Sequence, residues 1–283
     1  MTGGAQAVML EGGRLHLHHG PIDVIVHADG PEQSAAYAAA VHGFETILPT
    51  LVDELDLLTT PLGNASPQGP VAKRMAEAIA PLAMNRFVTP MAAVAGAVAD
   101  EILQILSRYD LCKATVNNGG DIAFFLTRGQ RFAAASPAGP VHVGPDSAAR
   151  GLATSGWRGR SQSLGIADAV TVLATTAARA DAAATLIANA VDLPNHPAIT
   201  RAPARDIETI PQLKDRAVTL EVGRLTAGET LRALDAGQAY AAELSGSGLI
   251  LGASLLLNEH LRTVGAAARD PLTPLAQDVI QPS

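Results

Sequence analysis

TPMAAVAGAVAD at residues 89–100, VNNGGDI at 116–122, TSG at 154–156 and ADAAATLIANAV at 180–191 are the segments on which the reading of this chain turns. Thr89-Pro90 has the chemistry of a helix start: a hydroxyl cap, then a proline whose missing N–H costs nothing in the first turn. Behind it Ala92, Ala93, Ala95, Gly96, Ala97 and Ala99 are all small. Such a run serves either close helix packing or a helix end kept bare so that a ligand reaches its N–H groups. Residues 113–117 read as a short strand and Asn117-Asn118-Gly119-Gly120 as a sharp turn, because Asn and Gly tolerate left-handed backbone angles. Asp121 opens a second strand, IAFFL, with 131–135 as its expected hairpin partner. The turn is either hairpin punctuation or a place where a ligand meets main-chain N–H groups.

Thr154-Ser155-Gly156 lacks the G-x-S-x-G frame of a nucleophile elbow. It offers two hydroxyls to a phosphate, or it is a loop. The β-branched run 168–174 predicts a buried strand. It leads into a helix over 179–191, where Asp181 and Thr185, four residues apart, share one face. Both are hard oxygen ligands of the kind Mg²⁺ takes, with water and phosphate completing the shell. The alternative is an Asp favoured by the helix dipole and a Thr bonded within its own helix.

Outward from this stretch, residues 14–19 and 22–28 alternate around Gly20-Pro21 and predict a hairpin. His16 and His18 share a strand face that reads as exposed, without a visible third metal ligand. A long amphipathic helix follows Pro31, its stripe formed by Ala36, Ala40, Phe44, Ile47, Leu48, Leu51 and Leu55. Pro49 is expected to kink or divide it. Residues 59–70 are a flexible linker by composition, and a short helix is expected over 71–82. After residue 191 the expected order is a proline-rich loop (194–211), a strand (217–222), a helix (226–244) stopped by SGSG, an apolar strand (249–257), and a loose tail over about 270–283.

The chain of 283 residues carries a net charge of −7, one cysteine and 3% aromatics. No Lys/Arg run gives the basic stripe of a nucleic-acid binder. Cys112 excludes an intrachain disulfide, and its place before an apolar segment predicts a buried, inert thiol. The N-terminal residues lack the charged and apolar regions of an export signal, and no window reaches the ~20 apolar residues of a membrane span. The expectation is a cytoplasmic protein, with neither nucleic acid nor membrane as partner and a homo-oligomer as an open possibility. Hairpins mixed with helices point to an α+β class.

The order of the four segments resembles the ApbE superfamily, whose best-known members are Mg²⁺-dependent FAD:protein FMN transferases. It is most similar to a cytoplasmic branch whose members carry no assigned reaction. The resemblance spans 89–191, a little over a third of the chain. It places Gly96 and Asp100 on the family's Ala-Lys-Gly-x-x-x-Asp helix, and Asn117, Gly119, Gly120 and Asp121 on its Asn-x-Gly-Gly-Asp turn. Thr154, Ser155 and Gly156 fall on its Ala-Thr-Ser-Gly, and Asp181 and Thr185 on its metal-binding Asp and Thr. The resemblance implies two interlocked α+β subdomains with mixed or antiparallel sheets flanked by helices, forming one domain over 1–283, with a flavin or other nucleotide between them. It implies Mg and FAD or FMN as cofactors, with a backbone carbonyl near Val94 completing the metal site.

Two departures stand inside the match. The family's lysine falls at Ala95, and its His-x-x-x-Pro element is replaced by WRGRSQSLGIA, bringing Arg158, Arg160, Ser161 and Ser163. Asp100, Asp168 and His142 are available as general bases. Three functions fit: FMN transfer from FAD, another cofactor-biosynthesis step on a phosphorylated or heteroaromatic substrate, and flavin binding without catalysis.

Overall fold

The structure, a computed structural model, describes residues 4–83, 86–159, 161–207 and 213–265. Arg160 and the expected loose tail from Asp270 lie outside these residues. Strands β1 (Gln6–Leu10), β2 (Arg14–His19) and β3 (Ile22–Asp29) open the chain. Helices α1 (Gln33–Phe44), α2 (Ile47–Asp53), α3 (Leu55–Leu58), α4 (Pro70–Ile79) and α5 (Val94–Leu106) follow, α5 preceded by a 3-10 turn at Pro90–Ala93. Then come β4 (Lys113–Asn118), β5 (Asp121–Leu126), the small hairpin β6 (Phe132–Ala134) and β7 (Val141–Val143), β8 (Gly151–Ser155) and β9 (Ala169–Ala174). The chain continues with α6 (Ala177–Ala190), β10 (Ile199–Pro203), β11 (Ala217–Val222), α7 (Ala227–Gly246), β12 (Gly252–Leu257) and β13 (His260–Gly265).

Nine strands form one antiparallel sheet in the order β1-β2-β3-β4-β5-β8-β9-β12-β13. The order follows the chain, so the sheet is a meander into which helices are inserted, and the class is α+β. Alternation sets its inner face: Leu15 and Leu17 on β2, Val24 and Val26 on β3, Ala114 and Val116 on β4 are all buried. These join the helices in one core. The alanine-rich composition is explained here. Ala177, Ala178, Ala180, Ala182, Ala183, Ala184 and Ala188 of α6 are all buried, so this helix is enclosed nearly all round by close neighbours. On the outer face, β6 and β7 cover Phe124, Leu126 and Leu152, with Phe132 stacked on Phe124 at 4.0 Å.

Several expectations change. The long helix breaks at Glu45-Thr46, ahead of Pro49, which sits in the first turn of α2 where it disrupts no bond. Residues 131–135 do not pair with β5; β6 pairs with β7, and β5 turns to β8 instead. Strand β10 lies within the expected proline-rich loop and pairs with β11, and β13 extends the sheet beyond β12. Cys112 is exposed, not buried: the main chain there bonds to Asp29 and Thr127 while the thiol faces outward. Within the linker, the Glu54 carboxylate accepts from the Gln68 and Gly69 N–H groups at 2.7 and 2.6 Å. Among the described residues no helix is long and apolar enough to cross a membrane.

Candidate functional site

The four segments meet where α5 and α6 begin. Helix α5 has Ala93 at its N-cap and no side chain of its own to satisfy its first N–H groups. Asp181, on the second turn of α6, does so: its Oδ2 accepts from Gly96 N–H at 3.0 Å, and the Ala95 N–H also favours its charged form. The service is returned. Asp100 of α5 accepts from the Ala177 and Ala178 N–H groups of α6 at 3.0 and 2.9 Å. Thr176 adds a local cap through Arg179 N–H at 3.2 Å.

This crossing needs glycine. A Cβ on Gly96 would stand 2.3 Å from the Ala177 carbonyl oxygen, and one on Gly151 would stand 2.2 Å from the Ala177 nitrogen. The close-packing reading of the small-residue run therefore holds. The helix end is also occupied, by a carboxylate.

The β4–β5 turn closes one side. Gly119 and Gly120 have φ of 67° and 113°, and Asn117 Oδ1 accepts from Gly120 N–H at 2.8 Å. Asn118, buried on the inner face, donates from Nδ2 to the Ala95 carbonyl at 3.1 Å and so ties the turn to α5. Sequence reasoning placed Asn118 in the turn; in the structure it is the last residue of β4, and period-two alternation carries it inward with Ala114 and Val116. Asp121 Oδ1 accepts from Thr154 N–H at 3.3 Å, and Thr154 Oγ1 bonds Thr171 Oγ1 at 2.9 Å. Ser155 and Thr185 are half-buried.

Three carboxylates thus gather at two helix N-termini. Burial raises the Asp181 carboxyl well above the ordinary range, and the neighbouring Asp121 and Asp100 charges add to the rise against the helix N–H bonds. Burial likewise raises Asp100, outweighing its bonds to Ala178 and Ala177 and the attraction of Arg74. Two positive helix ends do not offset the desolvation.

The other expected bases lie apart from this cluster or are engaged. Asp168 Oδ1 accepts from Trp157 Nε1 and Arg158 Nε at 3.2 and 2.8 Å, and Oδ2 accepts from Asn258 N–H at 2.7 Å. Gly156 packs against its carbonyl, at 2.5 Å from a built Cβ. His142 is exposed on β7. A cavity of about 580 Å³ opens elsewhere, lined by Leu82, Arg86, Tyr240 and Glu243 among others. A smaller groove beside it reaches Arg179 and Ala183, on the face of α6 opposite Asp181 and Thr185.

A donor set for Mg²⁺ can be judged from these residues. Among the described residues no three His, Cys, Asp or Glu side chains form a metal cage. Mg²⁺ needs fewer, taking one or two carboxylates plus phosphate and water. Asp181 with Thr185, and the neighbouring Asp121 charge that raises the Asp181 carboxyl, fit such an ion.

The chain is an antiparallel α+β protein with an acidic cluster at two helix ends. A family model described as "AbpE bacteria" matches residues 6–263. The chain is a member of that family, within the ApbE superfamily. A UPF0280 protein of Methanosphaerula palustris is 38% identical over 128 residues, 43% of this chain and 52% of that one. Another, of Methanopyrus kandleri, is 34% identical over 182 residues, covering 59% of this chain and 69% of that one. The chain spans about half the length of several of the curated relatives it matches. Of solved structures, the apo flavinyl transferase ApbE of Pseudomonas stutzeri matches 95% of this chain and 96% of its own at 13% identity, TM-score 0.46. The ApbE protein of Thermotoga maritima matches 94% and 98% at 12% identity, TM-score 0.45.

Proposed function

We propose that the protein is a Mg²⁺-dependent flavin-nucleotide-binding protein of ApbE type, with FMN transfer from FAD as its reaction. The observation that carries this reading is the Asp121–Asp181 juxtaposition at the start of α5, with both family motifs supplying the carboxylates. Asp181 and Thr185 would hold the ion. Asn117, Gly119, Gly120, Asp121, Thr154 and Ser155 would line the nucleotide pocket, and Gly96 and Gly156 would shape it from behind by letting the Ala177 and Asp168 backbone close in. Mg²⁺ bound there would supply Lewis-acid polarisation of a pyrophosphate. Asp100 and Asp168 have their oxygens engaged by two and three donors respectively, so both serve as positioning groups in this reading.

Thermal melts with FAD, with and without Mg²⁺, test the binding. Saturation at a hundredfold excess over Kd stabilises by ~2.7 kcal/mol. Asp181→Asn keeps an oxygen for the Gly96 N–H and removes the charge. It should retain the fold and lose the Mg²⁺-dependent increment. Absence of any shift with FAD or FMN in the presence of Mg²⁺ would sink the reading.

A second reading is favoured by Ala95, which stands where the family has its lysine. In it the same cleft takes another phosphorylated or heteroaromatic substrate in a cofactor-biosynthesis step. Release of AMP from FAD separates transfer from this alternative and from binding alone.

A further inference from the structure

Directly after Thr154-Ser155-Gly156 comes an element with no part in the acidic cluster. Trp157, the only tryptophan in the chain, is partly exposed. The Arg158 guanidinium carbon stands 4.5 Å from its ring centroid. Both side chains donate to the same oxygen, Asp168 Oδ1. Asp168 is itself only 18% exposed, and is fixed from behind by Asn258 N–H at the tip of the β12–β13 hairpin. Its own N–H bonds the Leu256 carbonyl at 2.9 Å.

One carboxylate therefore immobilises a guanidinium against an indole. An arginine that is 62% exposed would otherwise sample many rotamers, and the entropy of ordering it would count against any ligand. Here that cost is met by folding. Arg158 uses Nε alone; among the described residues Nη1 and Nη2 have no partner. Those two nitrogens form the planar fork that suits phosphate, beside the flat apolar surface of the indole. Arg158 lies four positions after Thr154, whose N–H bonds Asp121, so its Cα is within roughly 13 Å of the Thr154 Cα, at the edge of the acidic cluster.

The geometry points to Trp157 and Arg158 as the element that selects a phosphorylated heteroaromatic ligand. The Arg158 fork takes a phosphate, the Trp157 indole packs on the adjoining ring, and Asp168 is the positioning residue. The inference rests on the proposed function for where the ligand lies, and it adds how phosphate-bearing ligands are told from phosphate-free ones.

Titration with FMN, riboflavin and AMP, followed by tryptophan emission, tests it, because every signal arises at Trp157. FMN and AMP should quench, with riboflavin bound about tenfold more weakly than FMN or worse, for want of the charge-assisted bonds. Arg158→Gln, a surface change that spares the fold, should bring FMN down to the riboflavin level, and Arg158→Lys should recover only part. Asp168→Asn should lower the FMN-to-riboflavin ratio, a readout that loss of stability alone does not move. Equal binding of FMN and riboflavin by the wild type, or unchanged FMN affinity in Arg158→Gln, overturns the inference even if FAD binding with Mg²⁺ survives. If flavins fail but AMP quenches in an Arg158-dependent way, the flavin reading falls and the inference stands. If neither AMP nor FMN perturbs Trp157, the inference is overturned.

Discussion

Helix α7 and the α5–α6 pair solve one problem, unsatisfied N-terminal N–H groups, in opposite surroundings. At α7 the solution is local and wet. Thr226 Oγ1 accepts from Glu229 N–H at 3.3 Å, Glu229 Oε2 accepts from Thr226 N–H at 2.8 Å, and His196 Nε2 lies 3.1 Å from Oε1. The Thr226 backbone N–H, then the side chains of His196 and Thr226, pull the Glu229 carboxyl down to about 2. At α5 and α6 the caps come from 77 to 85 residues away and the carboxyls are pushed up, not down. The hydrogen bonds are alike; loss of water reverses the sign. The difference teaches that a cap which merely ends a helix can stay solvated. The helix ends at the candidate site instead carry carboxyls that burial raises in spite of the N–H bonds they accept.

The largest expected effect is at Asp100. Asp100→Ala strands two N–H groups at the crossing and should cost about 3 kcal/mol in urea unfolding. Asp100→Asn, which keeps one acceptor, should lie between it and the wild type. Next is Gly96→Ala, where two effects compete: alanine favours the helix by about 1 kcal/mol. The clash with the Ala177 backbone, which cannot rotate aside, costs up to about 3 kcal/mol. A net loss of about 2 kcal/mol is expected; a variant as stable as wild type would remove the tight crossing from the account. Thr226→Ala should cost less, about 1 kcal/mol, since water replaces the lost bond. If it matched Asp100→Ala, the contrast between wet and dry caps would collapse.

The smallest effect is in pH dependence. The Glu229 carboxyl lies lower in the folded state than its ordinary 4.5. Its contribution is therefore complete above about 4.5 and lost as pH falls toward 2. The stability gap between wild type and Glu229→Gln should close over that window. Asp100 has the opposite sign: raised in the folded state, it takes its proton before the unfolded chain does, so acidification favours folding through this group. Asp100→Asn should accordingly lose that component of the acid response, and a melt series showing the same sign for both variants would contradict the assignment.

How much of this was legible in the sequence follows from how local each signal is. The α7 start, the β2–β3 hairpin, the β4–β5 turn and the α6 strand-to-helix passage are written in adjacent residues, and each was readable. The partner of β6 was not, because the turn beyond Ala134 competes with β8, and only the completed sheet decides between them. Strand β10 was hidden by prolines at its edge, where a two-stranded ribbon tolerates them. At the site, the residue types were legible through family resemblance, including the Asp181/Thr185 face. The roles of Asp100 and Asn118 were not, since each bonds a main chain distant in sequence. Asp168 looked available as a base because nothing local shows that Trp157, Arg158 and Asn258 converge on it.

The exchange of caps between α5 and α6 also sets an order of events on the ribosome. Gly96 emerges 85 residues before the carboxylate that receives its N–H. At 5–20 residues per second that is roughly 4 to 17 s. For that interval the nascent α5 can dock on α1 and α4, which are already made, while its open end and the small-residue face that takes α6 stay uncovered. A chaperone or the tunnel vestibule has several seconds in which to hold it, and translation speed between the two helices becomes a variable in the yield of native protein.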